Sequence, residues 1–133
     1  MKRVVILGAG TGGTIMANRI WSQHKKEVAA GEMCITVVDQ DNRHIYQPGL
    51  LFIPFDIYEP KDTVKQRKPF LPKAANFVVG EIDRVEAEED KVFLANGMIL
   101  DYDLLVIATG ARLAPEETEG LLGPGWGEKM FEF

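Results

Sequence analysis

The sequence predicts an α/β fold, a parallel sheet with an inserted three-stranded antiparallel meander, on three observations. The apolar run Val4-Val5-Ile6-Leu7 stops at glycines and passes at once into a helical pattern. A strand-like run, residues 34–38, and a second fully apolar run, residues 104–108, end in Asp39 and in Thr109-Gly110. Between them, residues 77–100 read as short strands separated by turn residues. Wholly apolar runs of this length suit strands of a parallel sheet covered on both faces.

The first run sets the organisation. Gly8, Gly10 and Gly13 fit the spacing G-x-G-x-x-G between a strand and a helix. Gly8 permits a sharp turn, Gly10 has no Cβ to obstruct a diphosphate, and Gly13 lets helix and strand pack closely. The amides that open the helix lack intrahelical partners, and the helix dipole places positive charge there. Asp39 closes the second run, where a carboxylate can accept both ribose hydroxyls of an adenosine and would repel a 2′-phosphate. The pattern is that of a Rossmann-like dinucleotide site. Gly13 and Asp39 stand 26 residues apart, more than the usual ~20, and a loop over residues 25–33 is expected to absorb the excess.

The bulk numbers exclude several classes. A chain of 133 residues suffices for one domain with a core. A net charge of −5 without a basic cluster argues against a nucleic-acid surface. A single cysteine forms no internal disulfide. The apolar residues after Met1-Lys2-Arg3 are too few for a signal peptide, and no window approaches the ~18–20 apolar residues of a membrane span.

The helix is expected over residues 12–23, with Ile15, Ala17, Ile20 and Trp21 towards the sheet. Cys34 reads as a buried, inert thiol rather than a redox group. Residues 41–55 are rich in aromatics and proline; Pro48 and Pro54 argue against regular helix or central strand. This stretch either lines a ligand pocket or packs as a loop over the sheet. His44 within it is either structural or a titrating group. The charges of residues 56–76 read as a solvated face. The meander is expected over residues 77–87, 91–95 and 98 onwards, with turns at Glu89-Asp90 and Asn96-Gly97. After Ala111 proline and glycine dominate, and the chain stops at Phe133 as though cut.

With those residues in place, the glycine turn, Asp39 and the Ala108-Thr109-Gly110 strand end together resemble the flavoproteins of the pyridine nucleotide–disulfide oxidoreductase group. The segments His44-Ile45-Tyr46-Gln47-Pro48-Gly49 and 102–113 look most like sulfide:quinone oxidoreductase and the flavoprotein subunit of flavocytochrome c sulfide dehydrogenase. The resemblance implies FAD as cofactor and residues 1–133 as the N-terminal part of an FAD domain. Gly8, Gly10, Thr11, Gly12 and Gly13 would then receive the pyrophosphate. Asp39 would bind the adenosine ribose, with Gln40 and Arg43 beside it. Glu81 and Ile82 would meet the adenine edge through the backbone. Ala108, Thr109 and Gly110 would lie near the diphosphate, and Pro48 towards the flavin.

The resemblance also implies that the parent oxidises sulfide and passes electrons through FAD to a quinone. The redox cysteines, the quinone site and the segments that attach such proteins to a membrane surface lie later in those relatives, and Cys34 does not match the cysteines. No catalytic residue and no metal ligand is assigned in this stretch. A cytoplasmic, peripheral parent is implied, and an unpaired sheet edge would favour self-association. Two other readings stand beside this one. The first is the same portion of a type II NADH dehydrogenase or a ferredoxin or disulfide reductase; the second is a non-enzymatic module that senses NAD or FAD.

Overall fold

The computed structural model describes residues 1–112 and 114–123. Leu113 and the stretch where the sequence reads as cut, residues 124–133, lie outside the described residues. The chain opens with strand β1 (Lys2–Leu7), helix α1 (Thr11–Gln23), the short helix α2 (Lys25–Ala29) and strand β2 (Met33–Asp39). A small ribbon follows, β3 (Arg43–Ile45) with β4 (Val64–Gln66), then β5 (Asn76–Val79). Strands β6 (Ile82–Glu86), β7 (Lys91–Leu94) and β8 (Ile99–Asp101) lead to β9 (Leu104–Ile107).

Four strands, in the order β5-β2-β1-β9, form one parallel sheet. Its central strands carry their apolar residues where both faces are covered. Val4 and Ile6 of β1 pack with Ile35, Val37 and Ala17 on the helix side. Val5 and Leu7, one residue out of phase, pack with Val38, Val92, Leu94 and Tyr102 beneath the antiparallel sheet β6-β7-β8. Side chains on a strand alternate between faces, so one run of four apolar residues supplies two cores. Each such side chain, once buried, contributes about 1.5–3 kcal/mol.

Several expectations change. Residues 25–33 are not all loop, because α2 forms within them. Ile15 is 57 % exposed rather than sheet-facing, while Ala17 is buried and Ile20 and Trp21 pack against the core. The strand expected over residues 77–87 is two strands. Residues 76–79 join the parallel sheet beside β2, the Gly80 N–H donates to the Asp39 carbonyl, and only from Ile82 does the chain enter the meander. Both halves are apolar enough to be strand, so periodicity alone did not show the change of sheet.

Strand β9 lies at an edge of the sheet as described, with Leu104 53 % and Ile107 68 % exposed, and is not covered on both faces. Cys34 is half-buried, and its Sγ lies 3.2 Å from Asn76 Nδ2. Residues 47–55 wind as 3-10 helix around Pro48 and Pro54, and α-helix is absent there as the prolines required. Both turns of the meander are as expected: Asp90 and Gly97 take positive φ, and the Gly97 N–H donates to the Leu94 carbonyl.

Where β1 and β9 begin, Arg3 and Asp103 join them. The Arg3 N–H donates to Asp103 Oδ2 at 2.6 Å, Nη2 lies 3.1 Å from Oδ1, and Nη1 lies 3.3 Å from Asp101. The Arg3 side chain, then its N–H, hold the Asp103 carboxyl down to about 2 from the ordinary 3.8. A carboxyl with a lowered folded-state pKa stabilises the fold above its unfolded value, and that contribution disappears as pH falls through the folded value. The denaturation midpoint of the protein should therefore exceed that of Asp103→Asn at pH 5, and the gap should close between pH 4 and pH 2 (roughly, from the two limiting values). A gap that stays constant over that range would remove Asp103 as its source.

Candidate functional site

Parallel strands that turn away from one another leave a crevice at their carboxyl ends. Here β1 lies between β2 and β9, and the three ends meet: the Gly8 N–H donates to the Val38 carbonyl at 2.7 Å, and the Ala108 N–H to the Leu7 carbonyl at 2.8 Å. Gly8 takes φ +93°, and a Cβ there would overlap the Ala108 carbonyl oxygen. A Cβ on Gly13 would overlap the Gly8 carbonyl oxygen. These two glycines close the turn onto its neighbours. Gly10 differs, because a Cβ there would meet nothing within 4 Å. Its surroundings are open space at the start of α1, where no side chain caps the helix and the first turn holds no acid. Free amides, a helix dipole and open space suit an anion.

A cleft of about 930 Å³ opens there. It is lined by Gly8, Gly10, Thr11, Gly12, Asp39, Gln40, Arg43, Glu81, Ile82, Ala108, Thr109 and Gly110. Pro48 lines an adjoining cleft of about 570 Å³, which shares Gly10, Thr11 and Arg43 with the first. Gly13 is buried behind the turn and lines neither. His44 faces the adjoining cleft with its ring 4.7 Å from that of Phe70, so the apolar stretch both packs and lines a pocket.

Asp39 is 8 % exposed. Its Oδ2 accepts the Ala9 N–H at 2.6 Å and lies 2.9 Å from Arg67 Nη1. Among the described residues, its Oδ1 keeps only a 3.4 Å contact with the Asp41 N–H. The acid therefore braces the glycine turn as well as lining the cleft. Asp41 accepts the Arg43 N–H at 2.7 Å. Burial pushes its carboxyl up, but the N–H and guanidinium of Arg43 and the charge of Arg67 outweigh that and hold it below the ordinary carboxylate value.

Sequence reasoning missed Arg67, Ala111 and Arg112, which also line the main cleft, and reached Asp41, Ile45 and Gln47 only as members of a stretch that could line a pocket. Asp41 and Gln47 follow Asp39 closely and share its stretch. Arg67 had no local signal. It stands among lysines in a segment read as a solvated face, yet its side chain is only 16 % exposed. Thr63 and Leu71, in that same segment, are buried.

A glycine turn between the first strand and its helix, an acid at the end of the second strand and a crevice where the strands part define a dinucleotide-binding α/β domain. Residues 2–130 match the pyridine nucleotide-disulphide oxidoreductase family, and the chain belongs to it. FAD, the cofactor expected from the sequence, is the cofactor of this family. The chain is 33 % identical over 121 residues to the mitochondrial sulfide:quinone oxidoreductase of Dictyostelium discoideum, covering 91 % of this chain and 26 % of that protein. It is 29 % identical over 129 residues to the type II NADH:quinone oxidoreductase of Staphylococcus haemolyticus, covering 92 % and 29 %.

Among solved structures, the sulfide:quinone oxidoreductase of Aquifex aeolicus superimposes with a TM-score of 0.64 at 21 % identity, over 86 % of this chain and 25 % of that one. That likeness bears on the fold. The chain thus spans between a quarter and a third of the length of these relatives, which are oxidoreductases. Among the described residues no helix is long and apolar enough to cross a membrane.

The cleft fits the family's cofactor on its own geometry. The uncapped helix start and the open side of Gly10 leave room for a diphosphate. Asp39 leaves one carboxylate oxygen without a short hydrogen bond, within hydrogen-bonding chemistry for a ribose.

Proposed function

We propose that this chain is the FAD-binding part of a flavin-dependent oxidoreductase that oxidises sulfide and passes electrons to a quinone, and that residues 1–133 are the N-terminal part of its FAD domain. One observation carries the cofactor assignment: the uncapped start of α1 opens onto the same cleft as Asp39 and the Thr109-Gly110 strand end. The match to the Dictyostelium sulfide:quinone oxidoreductase supports sulfide as donor, and the partial coverage of both relatives supports the domain assignment.

In this reading the amides of Thr11 and Gly12, beside Gly8 and Gly10, bind the diphosphate. Asp39 binds the adenosine ribose, with Gln40 and Arg43 next to it. Glu81 and Ile82 border the adenine, while Ala108, Thr109 and Gly110 close the other side of the diphosphate. Pro48 borders the adjoining cleft on the flavin side. Gly13 serves the site by closing the turn. FAD, once bound, supplies the redox chemistry; these residues supply position and electrostatics. No residue of the chain is assigned a reacting role, so residues 1–133 alone are expected to bind the cofactor without turnover.

A second reading, the corresponding part of a type II NADH:quinone oxidoreductase, is favoured by the match to the Staphylococcus haemolyticus protein. Calorimetry tests the part common to both. The chain should bind FAD in preference to NAD, and Gly10→Ala should weaken FAD binding at least about tenfold with only a small drop in melting temperature. Preference for NAD would overturn the flavin assignment. The donor is tested in the product of the whole reading frame that contains this sequence. Anaerobic sulfide should bleach its flavin absorbance and NADH should not; the reverse result assigns the second reading.

A further inference from the structure

We infer that Arg67 is a positioning residue for the adenosine end of the cleft: it holds one oxygen of Asp39 and so leaves the other for the ribose. The inference rests on the FAD reading and adds to it a residue from a distant segment. Arg67 and the Ala9 N–H both bind Oδ2 of Asp39, at 2.9 Å and 2.6 Å. Among the described residues, Oδ1 has only the 3.4 Å contact with the Asp41 N–H, near the outer limit of a useful hydrogen bond. With the Ala9 N–H donated to Oδ2 and the Arg67 guanidinium in ion-pair contact with the same oxygen, the carboxylate is held in one orientation.

The pair is little exposed, 16 % for the Arg67 side chain and 10 % for the Asp39 side chain, where charge attraction is less screened than at the surface. Arg67 Nη2 also lies 3.6 Å from Asp41 Oδ1, so the guanidinium spans the acid that ends β2 and the one two residues after it. Asn42 fixes the backbone from which this side chain reaches back. The Arg67 N–H donates to both the carbonyl and the Oδ1 of Asn42 at 3.0 Å, and the Lys68 N–H donates to the same Oδ1 at 3.3 Å. Residues 39 to 42 therefore place Arg67, and Arg67 in turn holds Asp39.

Stability alone accounts poorly for this arrangement. Among the described residues, Arg67 Nε is the one buried side-chain nitrogen or oxygen without a hydrogen-bond partner, and such a group is a cost to the fold. Arg43 offers a contrast: it pairs with Asp41 at 3.2 Å from an exposed position and leaves Asp39 untouched. The guanidinium on Asp39 is the buried one, and it lines both clefts.

The test compares FAD with its 3′-deoxyadenosine analogue by calorimetry, in the unaltered chain and in Arg67→Met. The unaltered chain should bind the analogue roughly tenfold more weakly than FAD, the scale of one hydrogen bond to a charged group. Arg67→Met should bind FAD roughly tenfold more weakly and should no longer distinguish the two ligands. A purely structural Arg67 would lower the melting temperature and leave the ratio alone, so a folded Arg67→Met that still discriminates overturns the inference. Asn42→Ala keeps every charge and loosens only the mount of Arg67. It should reduce the ratio even if Arg67→Met does not fold, and an unchanged ratio there also counts against the inference. Failure of the unaltered chain to bind FAD would overturn the FAD reading and this inference together. Discrimination that survives in the variants overturns the inference alone.

Discussion

Gly13→Ala is expected to destabilise the protein by about 3 kcal/mol or more, while Gly10→Ala costs a few tenths. The two positions differ by three residues in one motif, yet their surroundings are opposite. A methyl group on Gly13 would overlap the Gly8 carbonyl oxygen, which is backbone and cannot swing aside, and would touch Ile6 Cγ2 at 3.4 Å. Relief requires α1 to lift from β1, and that opens the buried cluster of Val4, Ile6, Ala17, Ile35 and Val37. A methyl group on Gly10 meets nothing within 4 Å, and φ there is −68°, an ordinary value for any residue. Urea denaturation of the two variants measures the contrast. Equal stabilities would show that the turn is not held against the strand as described.

Asp39→Ala should cost about 3–5 kcal/mol of stability as well as cofactor affinity. Truncation leaves the Ala9 N–H without its 2.6 Å acceptor and the little-exposed Arg67 guanidinium without its nearest counter-ion. Breaking a buried pair from one side is costly because the remaining charge stays desolvated. Asp39→Ala/Arg67→Met should recover part of the loss, since no unpaired charge then remains. Thermal denaturation of the single and double variants forms a cycle in which the two effects should be non-additive. Additive losses would mean that the pair does not act as a unit. Because Asp39 braces the turn, Gly10→Ala is the cleaner probe of cofactor binding.

Much of the fold could be read from local patterns. The four-residue apolar run before the glycine turn reads as a strand, and β1 contributes to both cores. Asn96-Gly97 specifies a hairpin because Gly97 supplies the positive φ the turn needs. The strand-end residues of the cleft were legible for the same reason: Gly8, Asp39 and Thr109 each stand at the end of an apolar run, and parallel strands bring those ends together.

What was not legible depended on partners far along the chain. Residues 77–87 carry strand character throughout, but whether a strand pairs with β2 or with β7 is decided by the sheet and not by its own period. Strand β9 is as apolar as β1, yet it lies at the sheet edge as described, because strand order is a property of the assembled sheet. Ile15 is a different case: at about 100° per residue it stands on the side of α1 opposite Ala17, Ile20 and Trp21, so helical spacing itself turns it to solvent.

The α/β class, the glycine turn, the acid at the end of β2 and the family could be read from residues adjacent in the chain. The membership of Arg67 in the site came from the folded arrangement alone. The chain leaves β2, makes the excursion closed by β3 and β4, and returns with Arg67 against Asp39. The carboxylate that lines the cleft is oriented by a charge whose sequence surroundings resemble a solvated surface. The pairing of two charges depends on their distance in space, and the local sequence of neither one records it.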